Sequence, residues 1–337
     1  MFLTLYIKYY MERVRSVNND ENMSRVSRNK SPKKRMKTWK KVTLWIIAII
    51  LVLVGVTAFA TYHRIQQTAD SVYQASGAKS TRNADELLKE KKPVSILFMG
   101  TDTNFDGRNY KGRSDSMMIL TLNPAKKTTT MVSIPRDMKV NLPDFPQYSP
   151  SKINAAYTYG GPKEAINSIQ SHFNIPIDYY VTLSLGGLKK AVDQVGGVDV
   201  VSPLTFTSNG YHYVQGKEEH MDGTKAMWFA QMRYDDPNND YGRQYRQRLV
   251  LQALMKKAIS YKTVLNSEFL NSISNNLKTD LTMGDMVQLA LNYRDTNQNI
   301  KSDYAHGTGD MEYGVSFQDV SGAERTRISN LINNSLK

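Results

Sequence analysis

The chain has 337 residues, none of which is cysteine, and it lacks the short motifs that mark the commonest catalytic and nucleotide-binding sites. The missing cysteine excludes a disulfide framework, a thiolate zinc site, an iron–sulfur cluster and a thiol nucleophile. A P-loop, a G-x-G-x-x-G turn, a G-x-S-x-G elbow and an H-E-x-x-H pair are also absent. The five histidines show no metal-ligand spacing, so the polar residues that stand out are aspartates and arginines.

The net charge of +13 is concentrated at the amino terminus. Residues 1–41 hold twelve Lys and Arg against three Asp and Glu, whereas the remaining 296 residues carry a net charge of only +4. Hydrophobic residues make up 40% of the chain and charged residues 22%, so most of it can bury a core. The basicity therefore belongs to a tail and is not a property of the folded part.

An uncharged apolar run follows this tail, from Val42 to Tyr62. As a helix rising about 1.5 Å per residue it spans a hydrocarbon core of about 30 Å, with Trp45 and Tyr62 near the interfaces. The basic flank predicts a single-pass anchor with a cytoplasmic N-terminus and an extracellular remainder, and the basic run itself suits anionic lipid. The alternatives are a signal peptide cleaved after Ala58-Phe59-Ala60 and a buried core helix.

Beyond the anchor, the pattern predicts an α/β or α+β sandwich, since short strands alternate with helices. Two strands flank a turn at Asn123-Pro124 and predict a hairpin, so the sheet is expected to be mixed. The predicted strands are 94–100, 117–122, 128–134, 178–183 and 198–201, and the predicted helices end near 172, 195, 233 and 260. The chain is divided into a basic tail (1–41), a transmembrane helix (42–62), a stalk (63–92), a catalytic domain (93–265) and a helical completion with a polar tail (266–337).

Charged residues stand at the ends of the first three predicted strands. If these strands are neighbours, their ends bring carboxylates and guanidiniums to one rim of the sheet. Carboxylates suit Mg²⁺, and guanidiniums match phosphate in bidentate geometry, so the set suits phosphoryl transfer. Ordinary strand-end salt bridges are the alternative. The residues are Asp102, Arg113, Asp115, Arg136 and Asp137.

A second charged segment runs from Met232 to Arg248. On a helix that begins near Gly242, Arg243, Arg246 and Gln247 fall on one face. A helix amino terminus also favours anions. The alternatives are a solvated basic face and a nucleic-acid helix, but this segment is expected outside the cell, so no nucleic-acid partner is predicted.

Six segments of the sequence together resemble the LytR-CpsA-Psr family of Gram-positive bacteria, over roughly residues 93–260. They are GTD at 100–102, RSDSMM at 113–118, SIPRD at 133–137, KINAAY at 152–157, VDQVGGVDV at 192–200 and RYDDP…DYGRQYRQR at 233–248. Six motifs in the expected order are far more specific than any one of them.

The resemblance implies a membrane-anchored phosphotransferase with an α/β/α sandwich fold and a hydrophobic tunnel for a polyprenyl tail. Such enzymes move anionic glycopolymers, either wall teichoic acid or capsular polysaccharide, from undecaprenyl pyrophosphate to peptidoglycan. The expected cofactor is Mg²⁺ or Mn²⁺, and hydrolysis of the pyrophosphate is an expected side activity. The alternative function is a non-catalytic sensor of envelope lipid or polymer, or a transcriptional attenuator.

Carried over position by position, the resemblance assigns roles to individual residues. Asp102 and Asp115 match the metal-ligating aspartates. The pyrophosphate-binding positions are Arg113, Arg136, Arg233, Arg243 and Gln247. Either Asp137 or Asp240 is the candidate base for the acceptor hydroxyl. One departure is Gln231, which stands where the family often has the first arginine of Arg-x-Arg and which removes one charged contact to phosphate.

Overall fold

The computed structural model describes residues 63, 66–102, 112–258, 267–312 and 314–337. The predicted tail and the predicted transmembrane run, residues 1–62, lie outside the described residues. Within the described part, no helix combines the length and the apolar character needed to span a bilayer.

The strands and helices alternate along the chain as the sequence predicts for residues 94–258. The strands are β1 (Val94–Thr101), β2 (Ser114–Asn123), β3 (Thr128–Ile134), β4 (Lys139–Val140), β5 (Ser151–Lys152), β6 (Tyr179–Ser184), β7 (Val198–Val201), β8 (Phe206–Ser208), β9 (Tyr211–Tyr213), β10 (Glu218–Met221), β11 (Leu277–Thr279), β12 (Asn299–Tyr304), β13 (Thr308–Glu312) and β14 (Val315–Asp319). The helices are α1 (Ala84–Lys89), α2 (Ile153–Phe173), α3 (Leu185–Gln194), α4 (Gly223–Gln231), α5 (Asn239–Ala258), α6 (Ser267–Ile273), α7 (Met283–Asn292) and α8 (Gly322–Ser335).

A six-stranded mixed sheet forms the centre, in the order β11-β6-β1-β2-β3-β12. Strands β1 and β2 are antiparallel, as are β2 and β3, whereas β1 runs parallel to β6 and β3 runs parallel to β12. The predicted hairpin at residues 117–134 is therefore confirmed. Its turn is closed by Asn123, whose side-chain oxygen accepts the Lys126 N–H at 3.0 Å.

Both faces of this sheet carry helices because successive side chains point to opposite faces. Leu97 and Met99 of β1 pack into a core shared with α2 and α8, while Ile96 and Phe98 pack into a core shared with α1, α5 and α7. The predicted mixed central sheet is thus confirmed, with helical layers on its two sides.

A smaller third core lies around α3, α4 and α6 and the hairpin strands β7 to β10. Its centre contains Phe206, Tyr213 and Phe229, whose ring centroids lie 4.5–5.8 Å apart. The β8–β9 turn uses Asn209 and Gly210, both at positive φ, which is the residue pair that a tight hairpin favours.

The predicted stalk is part of the folded unit where the structure describes it. Val72 and Leu88 are buried in the core of the second sheet face. Arg82 donates two hydrogen bonds to the Asp178 carboxylate, which is almost fully buried. The folded unit therefore begins well before Pro93. The sequence did not indicate this, because only a few apolar side chains of this mostly polar segment are buried.

The expected helical completion and polar tail after residue 265 was wrong in large part. Strands β11 and β12 complete the two edges of the sheet, and β13 and β14 form a hairpin. The final helix, α8, buries Ile328 and Ile332 completely in the core that it shares with β1 and α2. Each such side chain contributes about 1.5–3 kcal/mol by burial, so this end is fixed to the domain.

Two helix starts also differ from the predicted ones. The sequence predicts a helix that follows Gly160-Gly161-Pro162, but helix α2 already begins at Ile153 and is kinked at Gly161 (φ 67°, ψ −151°), so most of KINAAY lies in its first turns. Helix α5 begins at Asn239, three residues before the predicted Gly242. Asp240 therefore lies in the first turn of a helix.

Candidate active site

A cavity of about 700 Å³ opens at the rim formed by the end of β1, the start of β2 and the segment after β3. The antiparallel register sets this rim: Thr101 lies opposite Ser114, and Met117 lies opposite Ile134. The residues that line the cavity are Gly100, Thr101, Asp102, Asp115, Ser116, Arg136, Leu185, Thr207, Ser208, Asn209, Trp228, Gln231, Met232, Arg233, Tyr234, Asp235, Arg243 and Gln247.

Six of the nine predicted site residues line this single cavity. They are Asp102, Asp115, Arg136, Arg233, Arg243 and Gln247. Arg113, Asp137 and Asp240 are not among its lining residues. Arg113 is exposed, next to residues outside the described part.

Close contact between strands β1 and β2 at the rim depends on Gly100. A Cβ at this position would lie 3.0 Å from the Ser116 Cβ, which is tighter than ordinary contacts. The glycine of the GTD motif therefore lets the two strands approach where Asp102 and Asp115 emerge. This gives a packing reason for the motif besides its charge.

Arg136 is the centre of the charged cluster. Its Nη1 donates to Asp115 Oδ1 at 2.7 Å, and its Nε lies 3.6 Å from Asp240 and 3.8 Å from Asp137. Burial lowers the pKa of the guanidinium, but the carboxylates of Asp115, Asp240 and Asp137 outweigh it, so the pKa lies above its ordinary value. Arg136 is thus held charged against the cavity wall.

Arg243 extends this cluster from helix α5. Its Nη2 donates to the Asp115 carbonyl at 3.1 Å and lies 2.6 Å from Asp240 Oδ1. The pKa of Arg243 lies below its ordinary value, mainly because the side chain is desolvated by burial. The Asp240 carboxylate raises this pKa, whereas the positive charges of Arg136 and Arg233 lower it. An anion bound among these arginines would relieve that repulsion.

Buried polar atoms without a hydrogen-bond partner among the described residues occur in the cavity wall. Arg136 Nε, Arg243 Nε and Gln247 Oε1 are among them. A buried donor without a partner costs about 1–3 kcal/mol, so Arg243 Nε suits a ligand acceptor such as a phosphate oxygen.

Arg246 does not share the cavity face, which corrects the expectation of one basic stripe. Its side chain is fully buried and pairs with the Asp236 carboxylate. It also donates to the carbonyls of Phe229 and Met232. This arginine ties the loop after α4 to α5, so its role is structural.

The two carboxylates predicted as alternative bases both contact cations. Asp137 lies 2.9 Å from Lys152 Nζ and 3.8 Å from Arg136, and Asp240 lies next to Arg136 and Arg243. The second oxygen of Asp240 also accepts from Gln244 Nε2 at 3.0 Å. Both carboxylates therefore contact arginines of the cavity, but neither is among its lining residues.

Several lining residues were missed by sequence reasoning. Thr207, Ser208 and Asn209 reach the cavity from the β8–β9 turn, and Trp228 and Tyr234 come from α4 and the loop that follows it. Asn209-Gly210 between aromatic residues is a hairpin signal that was available in the sequence. Tyr234 is 92% exposed, and its ring lies 6.0 Å from the Arg233 guanidinium.

An apolar extension adjoins the charged cavity. It has a volume of about 50 Å³ and shares Gly100, Ser116, Leu185 and Gln247 with the larger one. Its remaining walls are almost wholly apolar and come from Phe98, Met118, Leu183, Ser184, Leu188, Ala230 and Leu251. The site therefore joins a chamber lined by charges of both signs to an apolar one.

A divalent cation fits the oxygen donors of the rim. No group of three or more metal-ligating side chains occurs in the described residues. Asp102 and Asp115 nevertheless line the same cavity as Arg136, Arg233 and Arg243. One or two carboxylates with waters and phosphate oxygens is the set that Mg²⁺ accepts, so these residues suit it.

Comparisons with known proteins agree with one another. The model of the LytR_cpsA_psr family matches residues 59–334. A protein of Enterococcus faecalis named polyisoprenyl-teichoic acid–peptidoglycan teichoic acid transferase TagU is 40% identical over 306 residues, which is 89% of this chain and 99% of that protein.

Solved structures show the same likeness. Bacillus subtilis TagU has 30% identity and a TM-score of 0.60, covering 73% of this chain and 97% of that one. A structure of TagT bound to LI-WTA has 25% identity and a TM-score of 0.63, covering 79% and 99%. The matches include the C-terminal region, beyond the predicted limit near residue 260.

Proposed function

Because this chain belongs to the LytR-CpsA-Psr family, we propose that it transfers an anionic glycopolymer, such as teichoic acid, from a polyprenyl pyrophosphate to peptidoglycan. The observation that carries this proposal is the cavity itself, which is lined by three arginines and three aspartates and adjoins an apolar extension. A lipid-linked diphosphate has the same two parts, a charged bridge and an apolar chain. The reaction class is supported by relatives that are named teichoic acid transferases.

In this proposal Arg136, Arg233 and Arg243 hold the diphosphate bridge, with Gln247 beside them. The acceptor hydroxyl oxygen attacks the polymer-side phosphorus, and the bond to the lipid phosphate breaks. Polyprenyl phosphate leaves as the hydroxyl proton is released and a phosphodiester forms. The arginines neutralise the charge that collects on the leaving oxygen, which is the main source of acceleration in such transfers.

Asp102 and Asp115 are the proposed holders of Mg²⁺. When bound, the ion supplies charge neutralisation at the diphosphate oxygens. Asp137 and Asp240 contact Arg136, and Asp240 also contacts Arg243, but neither carboxylate lines the cavity. We assign both to orienting the arginines.

The membrane location is part of the same proposal. A lipid-linked donor stays in the bilayer, so an anchor over residues 42–62 raises the effective concentration of donor at the site. The basic run before it supports a cytoplasmic N-terminus and an extracellular site. Slow hydrolysis of the pyrophosphate without acceptor is the expected side activity.

The full chain in phospholipid nanodiscs, mixed with a short-chain polyprenyl pyrophosphate–saccharide and peptidoglycan oligomers, tests the function. We expect the phosphodiester product to form only when Mg²⁺ is added and to be absent after chelation. The product is detected by mass spectrometry. Asp115→Asn should remove most activity, whereas Asp295→Asn on the surface serves as the matched control. Binding of donor with neither transfer nor hydrolysis would instead indicate a sensor.

Restoring the missing cation at position 231 should strengthen donor binding. Gln231 lines the cavity two residues before Arg233, so Gln231→Arg adds a phosphate contact there. We expect the KM for the lipid donor to fall by roughly three- to tenfold, since a charge-assisted hydrogen bond is worth about 1 kcal/mol or more. Gln231→Met is the uncharged control, and a KM unchanged in both variants would contradict the contact.

A further inference from the structure

We propose that two stacked tyrosines, Tyr148 and Tyr159, bind a saccharide ring of the glycan acceptor. Together with Phe145 behind them they are called the aromatic platform. The proposal names an acceptor surface and therefore rests on the proposed transfer function. It assigns a partner surface to a part of the chain that lines neither the charged cavity nor its apolar extension.

The platform is a column of three rings with one open end. The rings of Tyr148 and Tyr159 are nearly parallel, 8° apart, with centroids at 4.4 Å. Tyr159 also packs on Phe145 at 6.0 Å. Tyr148 remains 49% exposed and Tyr159 remains 40% exposed, so flat aromatic surface reaches solvent.

Backbone contacts hold the column in place before any ligand binds. The Tyr148 N–H donates to the Phe145 carbonyl at 3.0 Å. A Cβ on Gly160 would lie 2.8 Å from the Phe145 ring, so this glycine lets the loop pack on α2. Asp144 in the same loop pairs with Lys163 of α2 at 2.8 Å. A preformed surface loses little conformational entropy on binding.

The platform is attached to the rim of the cavity through the first turns of α2. Asn154 N donates to the carbonyl of Arg136 at 3.1 Å, and Thr158 Oγ1 donates to the carbonyl of Gly112 at 3.3 Å. Tyr159 follows Thr158 and lies about 7.5 Å along the helix axis from Asn154, at about 1.5 Å per residue. A glycan that extends from Arg136 along α2 would therefore reach the platform.

The chemistry of the surface favours a sugar over a protein partner. Aromatic faces carry partial negative charge and attract the weakly positive C–H face of a pyranose, while polar neighbours such as Lys163 and Asn167 serve its hydroxyl and amide groups. A stable protein interface buries about 800 Å² per partner, far more than two half-exposed rings offer. The acceptor in the proposed reaction is a glycan, so its sugar rings are the kind of group that this aromatic surface favours.

The test is titration of the full chain in nanodiscs with a β-1,4-linked N-acetylglucosamine tetrasaccharide, measured by calorimetry. Tyr148→Ala should weaken binding by about tenfold, and Tyr148→Phe should stay within about twofold, because the ring and not the hydroxyl makes the contact. Tyr73→Ala is the matched control: Tyr73 is 44% exposed and borders a separate cavity near Asp178, at the other end of β1. The acceptor KM in the transfer assay should follow the same order.

Hydrolysis of the polyprenyl pyrophosphate without acceptor separates this proposal from the function on which it rests. It should be unchanged in Tyr148→Ala, because Tyr148 does not line the cavity. Absence of turnover in the wild-type protein would overturn the transferase function, while the titration would still decide the platform. No saccharide binding by the wild type, or equal binding by wild type and Tyr148→Ala, overturns the platform.

Discussion

Replacing Arg136 with alanine is expected to slow polymer transfer by about a thousandfold or more. The guanidinium lines the cavity, contacts Asp115 at 2.7 Å and lies 3.6 Å from Asp240. The alanine variant loses one proposed contact to the diphosphate. It also leaves the Asp115 carboxylate without its positive partner, so that this carboxylate repels the phosphate oxygens. Steady-state kinetics should show a fall in kcat as well as a rise in the donor KM, because the interaction strengthens as charge develops in the transition state.

Arg136→Lys is the conservative partner of this variant. Lysine keeps the charge but lacks the planar fork that reaches several carboxylates at once, so we expect activity between wild type and alanine. Arg294→Ala, on a 62% exposed side chain outside the cavity, should have no effect. Transfer within tenfold of wild type in Arg136→Ala would refute the role given to this residue.

Asp236→Ala is expected to lower the free energy of unfolding by about 3–5 kcal/mol, since it leaves the charge of Arg246 buried and unpaired. Both side chains of the pair are almost inaccessible, at 0% and 4% exposure. Asp236 also accepts from the Asn238 N–H at 2.8 Å, just before α5 begins. Thermal unfolding followed by circular dichroism should show a midpoint lower by roughly 10 °C.

Asp235→Ala supplies the comparison, because Asp235 is exposed and lies one position away. Its unfolding free energy should stay within about 0.5 kcal/mol of wild type. Near-equal stability of the two variants would mean that the buried pair does not hold the loop to α5.

The rim of the site could be predicted from the sequence because it depends on short-range features. One antiparallel hairpin places the start of β2 beside the end of β3, so the charged residues there come together without any long-range contact. Asp102, Asp115 and Arg136 follow from that pattern. The strand that neighbours β1 on its other side, β6, comes after a helix and runs parallel, as α/β alternation predicts.

The sheet edges could not be predicted, since the strands that form them carry little strand signal. Strand β11 has three residues, Leu277–Thr279, and β12 reads NIKSDY with mostly exposed or half-buried positions. Edge strands of this kind are short and polar, which also discourages pairing with other chains. Their placement depends on pairing with strands more than ninety residues earlier in the sequence, which no local pattern records.

Helical spacing alone also could not separate Arg243 from Arg246. Both lie on α5 three residues apart, yet one faces the cavity and the other is enclosed by the loop that contains Asp236. Gly242 explains the difference, because a Cβ there would lie 1.9 Å from the Asp236 carboxylate. The loop packs directly on the helix backbone at this glycine, and that contact is invisible in a charge pattern.

Strand β12 and the β13–β14 hairpin lie late in the chain, yet they support a site whose lining residues all precede position 248. Gln318 N donates to the carbonyl of Asp137 at 2.9 Å, and Tyr241 beside Asp240 donates to the carbonyl of Gly307 at 3.2 Å. Both of these hydrogen bonds form only when residues 307–318 are present. A variant that ends before Gln318 would lack the bond to Asp137 and helix α8 while keeping every residue that lines the cavity. The core between the sheet and α2, where Ile328 and Ile332 are buried, would then be uncovered, so we expect this truncation to destabilise the domain without removing any side chain of the cavity.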